Sequence, residues 1–201
     1  WMNEFCHQYK RKIQTLTEDV LSGKPFGLKA SDFDLQNEPM SKEIKEFIEK
    51  YEWLGQVGWS VKWTFTARYQ GDLAGVILMS EPINYSKSGG KMEALIQRGA
   101  TASWTPKNLG SKLISFACKW ATQNTNKRVF VGYADPDAGE EGAIYKACNF
   151  KYLGKKYGTK KVYVLPSGKK VGSRYFTKTA SMKKWAKELG IIWHKEWEKD
   201  N

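Results

Sequence analysis

A chain of 201 residues suits one domain, or one domain with an appendage, and its 41% hydrophobic residues are enough to bury a core and to exclude wholesale disorder. Lys and Arg number 33 against 21 Asp and Glu, so the formal net charge of +12 favours a polyanionic partner. Since no apolar run approaches the roughly 20 residues of a bilayer span and residues 3–12 are polar, we expect no membrane partner, no signal peptide and a cytoplasmic location.

The N-terminal part is predicted to be helical and then irregular. Residues 1–22 form an amphipathic pattern with a period near that of a helix. The apolar residues on one side of this helix are Ile13, Leu16, Val20 and Leu21. Residues 23–39, interrupted by Gly and Pro, are predicted to be a connector. Ser41 is placed to cap a second helix, whose apolar face is formed by Ile44, Phe47 and Ile48.

A β-hairpin follows. In residues 61–69 apolar and polar side chains alternate, which predicts a strand with one face in water. The polar positions are Lys62, Thr64 and Thr66. A turn at 70–72 leads to the nearly continuous apolar run 73–79, which predicts a buried antiparallel partner.

The rest of the chain alternates strands and helices. Strands are predicted at 92–100 and 128–133, with a helix between them at 108–122. The side chains predicted to face inward on this helix are Leu113, Ile114, Ala117 and Trp120. The remaining predicted elements are a helix at 139–148, strands at 150–153 and 161–165, and a helix at 181–189. This order predicts a mixed α/β (α+β) sheet with an antiparallel start and a central βαβ unit. We predict a helical and loop extension over 1–40, the mixed α/β domain over 41–178 and a basic helical segment over 179–201.

The first motif joins a predicted strand to the helix at 108–122. It runs from Thr105 to Ile114 and contains Asn108 and Gly110, which suit a tight turn with close backbone approach. The free N–H groups of a first helical turn, together with the helix dipole, favour an anion there. A second motif follows the last central strand. Tyr145 lies five residues before Phe150, across a short helix and an Asn turn.

The order of elements and these two motifs resemble the GNAT acyltransferases. A closer resemblance, to the Mom family of bacteriophage DNA-modification proteins, rests on a wider set of residues. These are Arg98, Pro106, Asn108, Ser111, Tyr133-Ala134-Asp135, Gly142, Ile144-Tyr145-Lys146-Ala147, Asn149 and Tyr152-Leu153-Gly154. One departure is that no histidine stands near Tyr51-Glu52-Trp53, where the family usually has one.

The resemblance implies a GNAT-like fold, a coenzyme A thioester as donor (acetyl-CoA or another acyl-CoA), and DNA as acceptor. Mom proteins modify N6 of adenine and so protect phage DNA from restriction. The family's functional positions fall on Arg98, Ser111, Asp135 and Tyr145, the last as the acid that protonates the departing thiolate. The residues predicted to hold the coenzyme A pyrophosphate are Asn108, Leu109, Gly110, Ser111 and Lys112. No metal site is predicted, because three cysteines without a CxxC pair and two distant histidines argue against one.

The positive charge is concentrated near the C-terminus. Residues 155–187 contain 11 basic side chains and no acidic one. Such a segment is predicted to contact DNA phosphates. The predicted contacts are Lys155, Lys156, Lys160, Lys161, Lys169, Lys170, Arg174, Lys178, Lys183 and Lys184. A solvated, lysine-rich surface is the structural alternative.

Two other functions stay open from the sequence. One is a GNAT acetyltransferase of a protein or small-molecule amine, with the Glu140-Glu141 pair available to a cationic acceptor. The other is a non-catalytic nucleic-acid-binding protein on a GNAT scaffold. Tryptophans 59, 63 and 104 are candidates to stack on an extruded base, with core packing as the alternative.

Overall fold

The computed structural model of the chain describes residues 14–25, 27–52, 55–58, 60–82, 90–134 and 140–154, the backbone of 162–164 and 170–172, and helical Lys184 and Glu188. The chain divides into two units, residues 1–152 and 153–201. Among the described helices, none has both the length and the apolar character needed to cross a bilayer.

Unit 1 is built on a five-stranded sheet. Its strands are β1 (Asp34–Asn37), β2 (Trp63–Tyr69), β3 (Asp72–Ser80), β4 (Glu93–Thr101) and β5 (Val129–Gly132). Its helices are α1 (residues 14–21), α2 (Lys42–Tyr51), α3 (Leu109–Asn124) and α4 (Ala143–Ala147), with 3₁₀ turns at Ala30–Asp32 and Gly90–Met92. The strands are ordered β1-β2-β3-β4-β5, antiparallel except for the parallel pair β4 and β5. This arrangement confirms the predicted mixed α/β sheet with an antiparallel hairpin and a β4-α3-β5 unit.

Helix α3 covers one face of the sheet. Its buried side chains include Leu113, Ile114 and Ala117, as the period of the sequence predicted. Phe65 of β2 is fully buried against this helix, with its ring centroid 6.1 Å from that of Phe116 and 5.5 Å from that of Trp120. Apolar burial of this kind is the main stabilising contribution to the domain.

Helix α2 packs on β3 and β4. The prediction that the polar face of β2 is exposed to water is wrong. Ser41 caps α2 by accepting the Ile44 N–H at 3.2 Å, as expected. Thr64 and Thr66 are both buried. Thr66 donates its hydroxyl proton to Glu38, and Arg68 bridges Glu38 and α2 through bonds to Glu38 and Glu43 at 3.0 and 2.8 Å. Short polar side chains on β2 are thus enclosed by an ionic network rather than by water.

The N-terminal region differs from its prediction in two respects. The connector 23–39 contains strand β1, whose four residues pair antiparallel with β2. Helix α1 forms within the predicted range, but its apolar residues Leu16, Val20 and Leu21 are about half exposed or more. Its inward face is instead polar and is formed by Thr15 and Asp19.

The C-terminal elements are partly described. Residues 150–153, predicted as a strand, have no regular secondary structure. Unit 2 contains an antiparallel hairpin of β6 (Val162–Val164), which was predicted, and β7 (Lys170–Gly172), which was not. Of the helix predicted over 181–189, only Lys184 and Glu188 lie within the described residues, and both are helical. The predicted domain boundaries at 40 and 178 stay predictions.

Candidate active site

The central strands β4 and β5 separate where β5 ends. Their last parallel pair is Ile96 with Gly132, after which β4 continues to Thr101. In open α/β sheets, ligands bind beyond the carboxyl ends of parallel strands. The chain thus places an opening in its sheet next to the two motifs found in the sequence.

Tyr145 lies at this opening, where its ring packs on Gly132, the last residue of β5. A Cβ atom built on Gly132 would lie 2.3 Å from Cε1, 2.5 Å from Cζ and 2.9 Å from the hydroxyl oxygen of Tyr145. The phenol therefore occupies space that any side chain at position 132 would fill. Phe150 packs beside it, with ring centroids 5.5 Å apart.

The local backbone fixes the direction of this tyrosine. The N-cap residue of helix α4 is Gly142, with φ of 68°, a left-handed conformation that suits glycine. At the other end, Asn149 has φ of 58°, and the N–H groups of Cys148 and Phe150 both donate to the Tyr145 carbonyl at 3.0 Å. Asparagine tolerates this region better than most residues. A short helix between two left-handed residues thus presents the phenol to Gly132.

The Tyr145 phenol stays protonated at neutral pH. Burial raises its pKa to about 12, and the nearby Glu140 and Cys148 add to the effect because they disfavour a phenolate. The side chain is nevertheless only partly buried, and the described residues provide no hydrogen-bond partner for its hydroxyl. A protonated, accessible phenol fits the acid role implied by the resemblance.

The loop before α3 is fixed by hydrogen bonds and packing at several of its residues. Ala102 donates its N–H to Ala74 of β3 at 2.9 Å, and the Thr105 side chain donates to the Ala102 carbonyl at 2.7 Å. Between them, Trp104 is only 5% exposed and stacks on Phe33 with centroids 5.9 Å apart. Trp104 is therefore a core residue, and the hypothesis that it stacks on an extruded base is wrong. Residues 102–108 are called the anchored loop below.

The first turn of α3 offers two backbone donors. Leu109 donates its N–H to Pro106 at 2.9 Å and Lys112 to Asn108 at 3.0 Å. Between them, the N–H groups of Gly110 and Ser111 make no hydrogen bond within the described residues. Free N–H groups at a helix N-terminus favour an anion such as a diphosphate.

The predicted cofactor residues take different positions in this turn. Asn108 is exposed at the start of the helix and makes no capping bond with its side chain. Leu109 is fully buried in the core. The Ser111 hydroxyl donates to the Asn108 carbonyl at 3.0 Å, and the Lys112 ammonium donates to the Ala30 carbonyl at 2.7 Å. The side chains of Leu109 and Lys112 are thus engaged by the protein itself.

The first turn of α3 and helix α4 pack together. A Cβ on Gly110 would lie 2.9 Å from Cδ1 of Ile144. One turn on, the Cys148 thiol donates to the Ser111 carbonyl at 3.3 Å. The two predicted motifs, 30 or more residues apart in sequence, are therefore neighbours. Their proximity is what the predicted chemistry requires.

Arg98 is held by the segment after α2. Its Nε donates to the Gln56 carbonyl at 3.3 Å and its Nη1 to the Gln97 carbonyl at 2.8 Å. The buried Glu52 carboxylate lies 3.9 Å from Nε and accepts the Gly55 N–H at 2.9 Å. These contacts connect Glu52 and Gln56 to Arg98 of β4. Glu52 was not identified as a partner from the sequence, because the two residues lie on different elements.

The other predicted site residues lie mostly outside the described part. Asp135 and Trp59 are outside it, as are Lys155, Lys156, Lys160, Lys161, Lys169, Arg174, Lys178 and Lys183. Lys170 lies in β7, and Lys184 is exposed. Trp63 is partly buried, with the Lys62 and Lys127 ammonium groups 5.3 and 5.9 Å from its ring centroid. Among the described residues, no three metal-ligand side chains lie together.

The sheet, the α3 turn after β4 and the tyrosine-bearing α4 after β5 define a GNAT-type fold. The chain belongs to the Mom protein family, whose model matches residues 38–200. Comparison with curated protein sequences found no match.

Solved structures with this fold include the aminoglycoside N-acetyltransferase AAC(6')-Iy in complex with CoA. It is 15% identical, with a TM-score of 0.50 over 69% of this chain and 98% of that one. An aminoglycoside acetyltransferase from a soil metagenome, in complex with trehalose, is 14% identical with a TM-score of 0.47 over 65% and 98%. Glucosamine-6-phosphate N-acetyltransferase from Arabidopsis thaliana is 11% identical with a TM-score of 0.43 over 63% and 97%. At these identities the likeness to the first structure shows the fold alone.

Proposed function

We propose that this protein is a coenzyme-A-dependent transferase that modifies a nucleobase amine in DNA, with adenine N6 as the acceptor. The observation that carries the proposal is the phenol of Tyr145, which packs on Gly132 at the β4–β5 opening. The helix that carries it, α4, packs against the first turn of α3 through Ile144 and Cys148. Membership of the Mom family supports the same chemistry. Protection of phage DNA from restriction is the biological role that follows.

The donor fits the groups that this turn leaves available. The N–H groups of Gly110 and Ser111 would bind a diphosphate, since neither has another acceptor in the described residues. A coenzyme A thioester would supply an activated acyl carbon and a thiol leaving group. Acetyl-CoA is the first donor to test.

The chain's own residues would then act on protons and charge. Tyr145 would donate its hydroxyl proton to the departing sulfur, as the acyl carbon–sulfur bond breaks and the carbon–nitrogen bond forms. A phenol with a pKa of about 12 stays protonated at neutral pH, which the acid role requires, although its raised pKa makes it a weaker acid than an ordinary tyrosine. The acceptor amine loses one proton, and Asp135 is the predicted acceptor of it. Adenine N6 is a weak nucleophile, so positioning would supply much of the rate.

The acceptor is inferred from charge. The sequence has a net charge of +12, and its segment 155–187 contains 11 basic residues and no acidic one. Neutralising DNA phosphates with such a segment releases counterions and supports binding. Binding should therefore weaken steeply with salt, and we expect a log–log slope near −0.9 for each phosphate contacted on duplex DNA. A flat salt response would contradict this part of the proposal.

The decisive experiment is mass spectrometry of nucleosides from the DNA of cells that express the chain. We expect a deoxyadenosine of increased mass with the wild type and a fall of at least about 100-fold with Tyr145→Phe. Tyr152→Phe is the matched control, because Tyr152 is 73% exposed and lies outside the proposed site. Unmodified DNA in cells that contain soluble, folded wild type would refute the proposal. Equal modification by the wild type and Tyr145→Phe would refute the acid role.

Transfer to a small cationic amine is a second candidate, favoured by one cleft. A cleft of about 370 Å³ lies between α1 and α2 and is lined by several carboxylates. The acidic residues are Glu18, Asp19, Glu43, Glu46 and Asp72. Neither Tyr145 nor Gly132 lines it, and ion pairs already engage all five of these carboxylates. We therefore rank this candidate second. Thiol release from acetyl-CoA with a polyamine panel, compared with DNA, separates the two.

A further inference from the structure

One buried carboxylate connects three parts of unit 1. Asp19 of α1 is 5% exposed, and its carboxylate accepts three hydrogen bonds and forms one ion pair. Its Oδ1 accepts the Tyr51 hydroxyl at 2.6 Å and lies 3.6 Å from the Lys50 ammonium, both on α2. Its Oδ2 accepts the Ser103 N–H at 3.2 Å and also the Ser103 hydroxyl.

The two oxygens of this carboxylate thus have different partners. Oδ1 is directed to the end of α2, whereas Oδ2 is bound only to Ser103 of the anchored loop. A buried carboxylate is costly unless it is well bonded, so α1 can keep Asp19 inside only while these donors stay in place. The same bonds restrain the loop.

Ser103 lies at a sensitive point of that loop. The preceding residue, Ala102, is bonded to β3, and the following residue, Trp104, is packed in the core. The loop then leads through Pro106 into the turn with the free N–H groups of Gly110 and Ser111. Restraint at Ser103 therefore contributes to the direction in which these two donors point.

We propose that Asp19 is a positioning residue for the cofactor turn, so that helix α1 belongs to the donor site. This inference rests on the proposed function, because it assigns a coenzyme A diphosphate to the α3 turn. Residues 14–21 precede the segment 38–200 matched by the Mom family, so the support comes from a part of the chain outside the match.

A purely structural role would have a different consequence. If Asp19 only attached α1 to the body, loss of its bond to Tyr51 and loss of its bonds to Ser103 would have equal effects. If Asp19 positions the loop, only the Ser103 side matters for binding. Tyr51→Phe is therefore the matched control: it removes one donor to the same carboxylate and leaves Oδ2 unchanged.

The experiment measures two quantities on the full chain. Calorimetric titration with coenzyme A gives the dissociation constant, and hydrogen exchange gives the opening of amides 103–111. We expect Asp19→Asn and Ser103→Ala each to weaken binding about 10-fold and to speed exchange in 103–111, as loss of bonds to a charged group predicts. The double variant should be less impaired than the sum of the two single effects predicts, because both substitutions weaken the contact between Asp19 and Ser103. Tyr51→Phe should leave both quantities near wild type.

Several results would contradict the proposed positioning role of Asp19. Unchanged affinity and unchanged exchange in folded Ser103→Ala and Asp19→Asn would overturn the inference. Equal effects of Tyr51→Phe would also overturn it and leave a structural role. If the wild type does not bind coenzyme A, the proposal that coenzyme A is the donor is refuted. Hydrogen exchange alone then tests whether Asp19 restrains the anchored loop. Faster exchange in the two variants would support it, and unchanged exchange would overturn it.

Discussion

Gly132 provides the sharpest test of the site, because its missing side chain is the space that Tyr145 occupies. In Gly132→Ala the new Cβ would meet Cε1 at 2.3 Å, whereas ordinary contacts begin near 3.4 Å. The aromatic ring is rigid, so the phenol must retreat by about 1.1 Å, the difference between these two distances. A misplacement of about 1 Å in a catalytic group can cost roughly 100-fold in rate.

We therefore expect Gly132→Ala to lower kcat/KM for DNA modification by about 100-fold, which corresponds to about 2.7 kcal/mol of transition-state stabilisation. The assay is the initial rate of modified deoxyadenosine formation, followed by nucleoside mass spectrometry at limiting DNA. Thermal unfolding of the variant should remain cooperative. This would separate a displaced phenol from an unfolded protein.

A double-mutant cycle identifies the cause. In a Tyr145→Phe background the hydroxyl is already absent, so Gly132→Ala should cost only a few-fold more. Full activity of Gly132→Ala would refute the reasoning. So would an additive 100-fold loss in the Tyr145→Phe background, because the glycine would then act through another group.

Three further predictions follow from burial and capping. The folded-state pKa of Tyr145, about 12, lies above the ordinary value near 10. Its contribution to stability is therefore complete below about pH 10 and is lost as the pH rises toward 12. In urea unfolding, the free energy of unfolding should fall less at alkaline pH in Tyr145→Phe than in the wild type. Burial, with a smaller effect of Cys148, raises the pKa of Cys118 to about 12. About 1,000-fold less thiolate is therefore present than with the ordinary thiol pKa of 9.0. Peptide mass mapping should show that iodoacetamide at pH 8 labels Cys118 far faster in guanidinium than in the folded protein. Ser41→Ala should lower the free energy of unfolding by about 1 kcal/mol in urea, because the Ile44 N–H loses its acceptor, and an unchanged value would show that water replaces the cap.

Local patterns were sufficient where one element decides the outcome. The period of α3 predicted Leu113, Ile114 and Ala117 as its buried face, and Ser41 predicted the start of α2. The apolar run of β3 predicted a strand covered on both faces. The sequence also predicted an Asn turn between Tyr145 and Phe150, and Asn149 has a left-handed backbone there. The contact between the two rings, whose centroids are 5.5 Å apart, was not predicted.

Long-range partners were not predictable in this way. The alternation of apolar and polar residues predicted that Thr66 is exposed. Instead, Thr66 is bonded to Glu38 of the predicted connector, which in turn accepts a bond from Arg68. Leu16 and Val20 have the pattern of a buried helix face, but the bonds of Asp19 turn the helix the other way. In both cases a buried ionic contact between distant segments outweighs local hydrophobic periodicity. Such contacts leave no periodic signal in the sequence.

The position of β1 has a practical consequence. This strand ends at Asn37, immediately before the segment 38–200 that matches the Mom family, and it covers the outer edge of β2 over four residue pairs. A truncated protein that began at residue 38 would leave the N–H and C=O groups of that edge unpaired, and such edges promote aggregation. Expression designs for this chain should therefore keep at least residues 14–37, even when only the family segment is of interest.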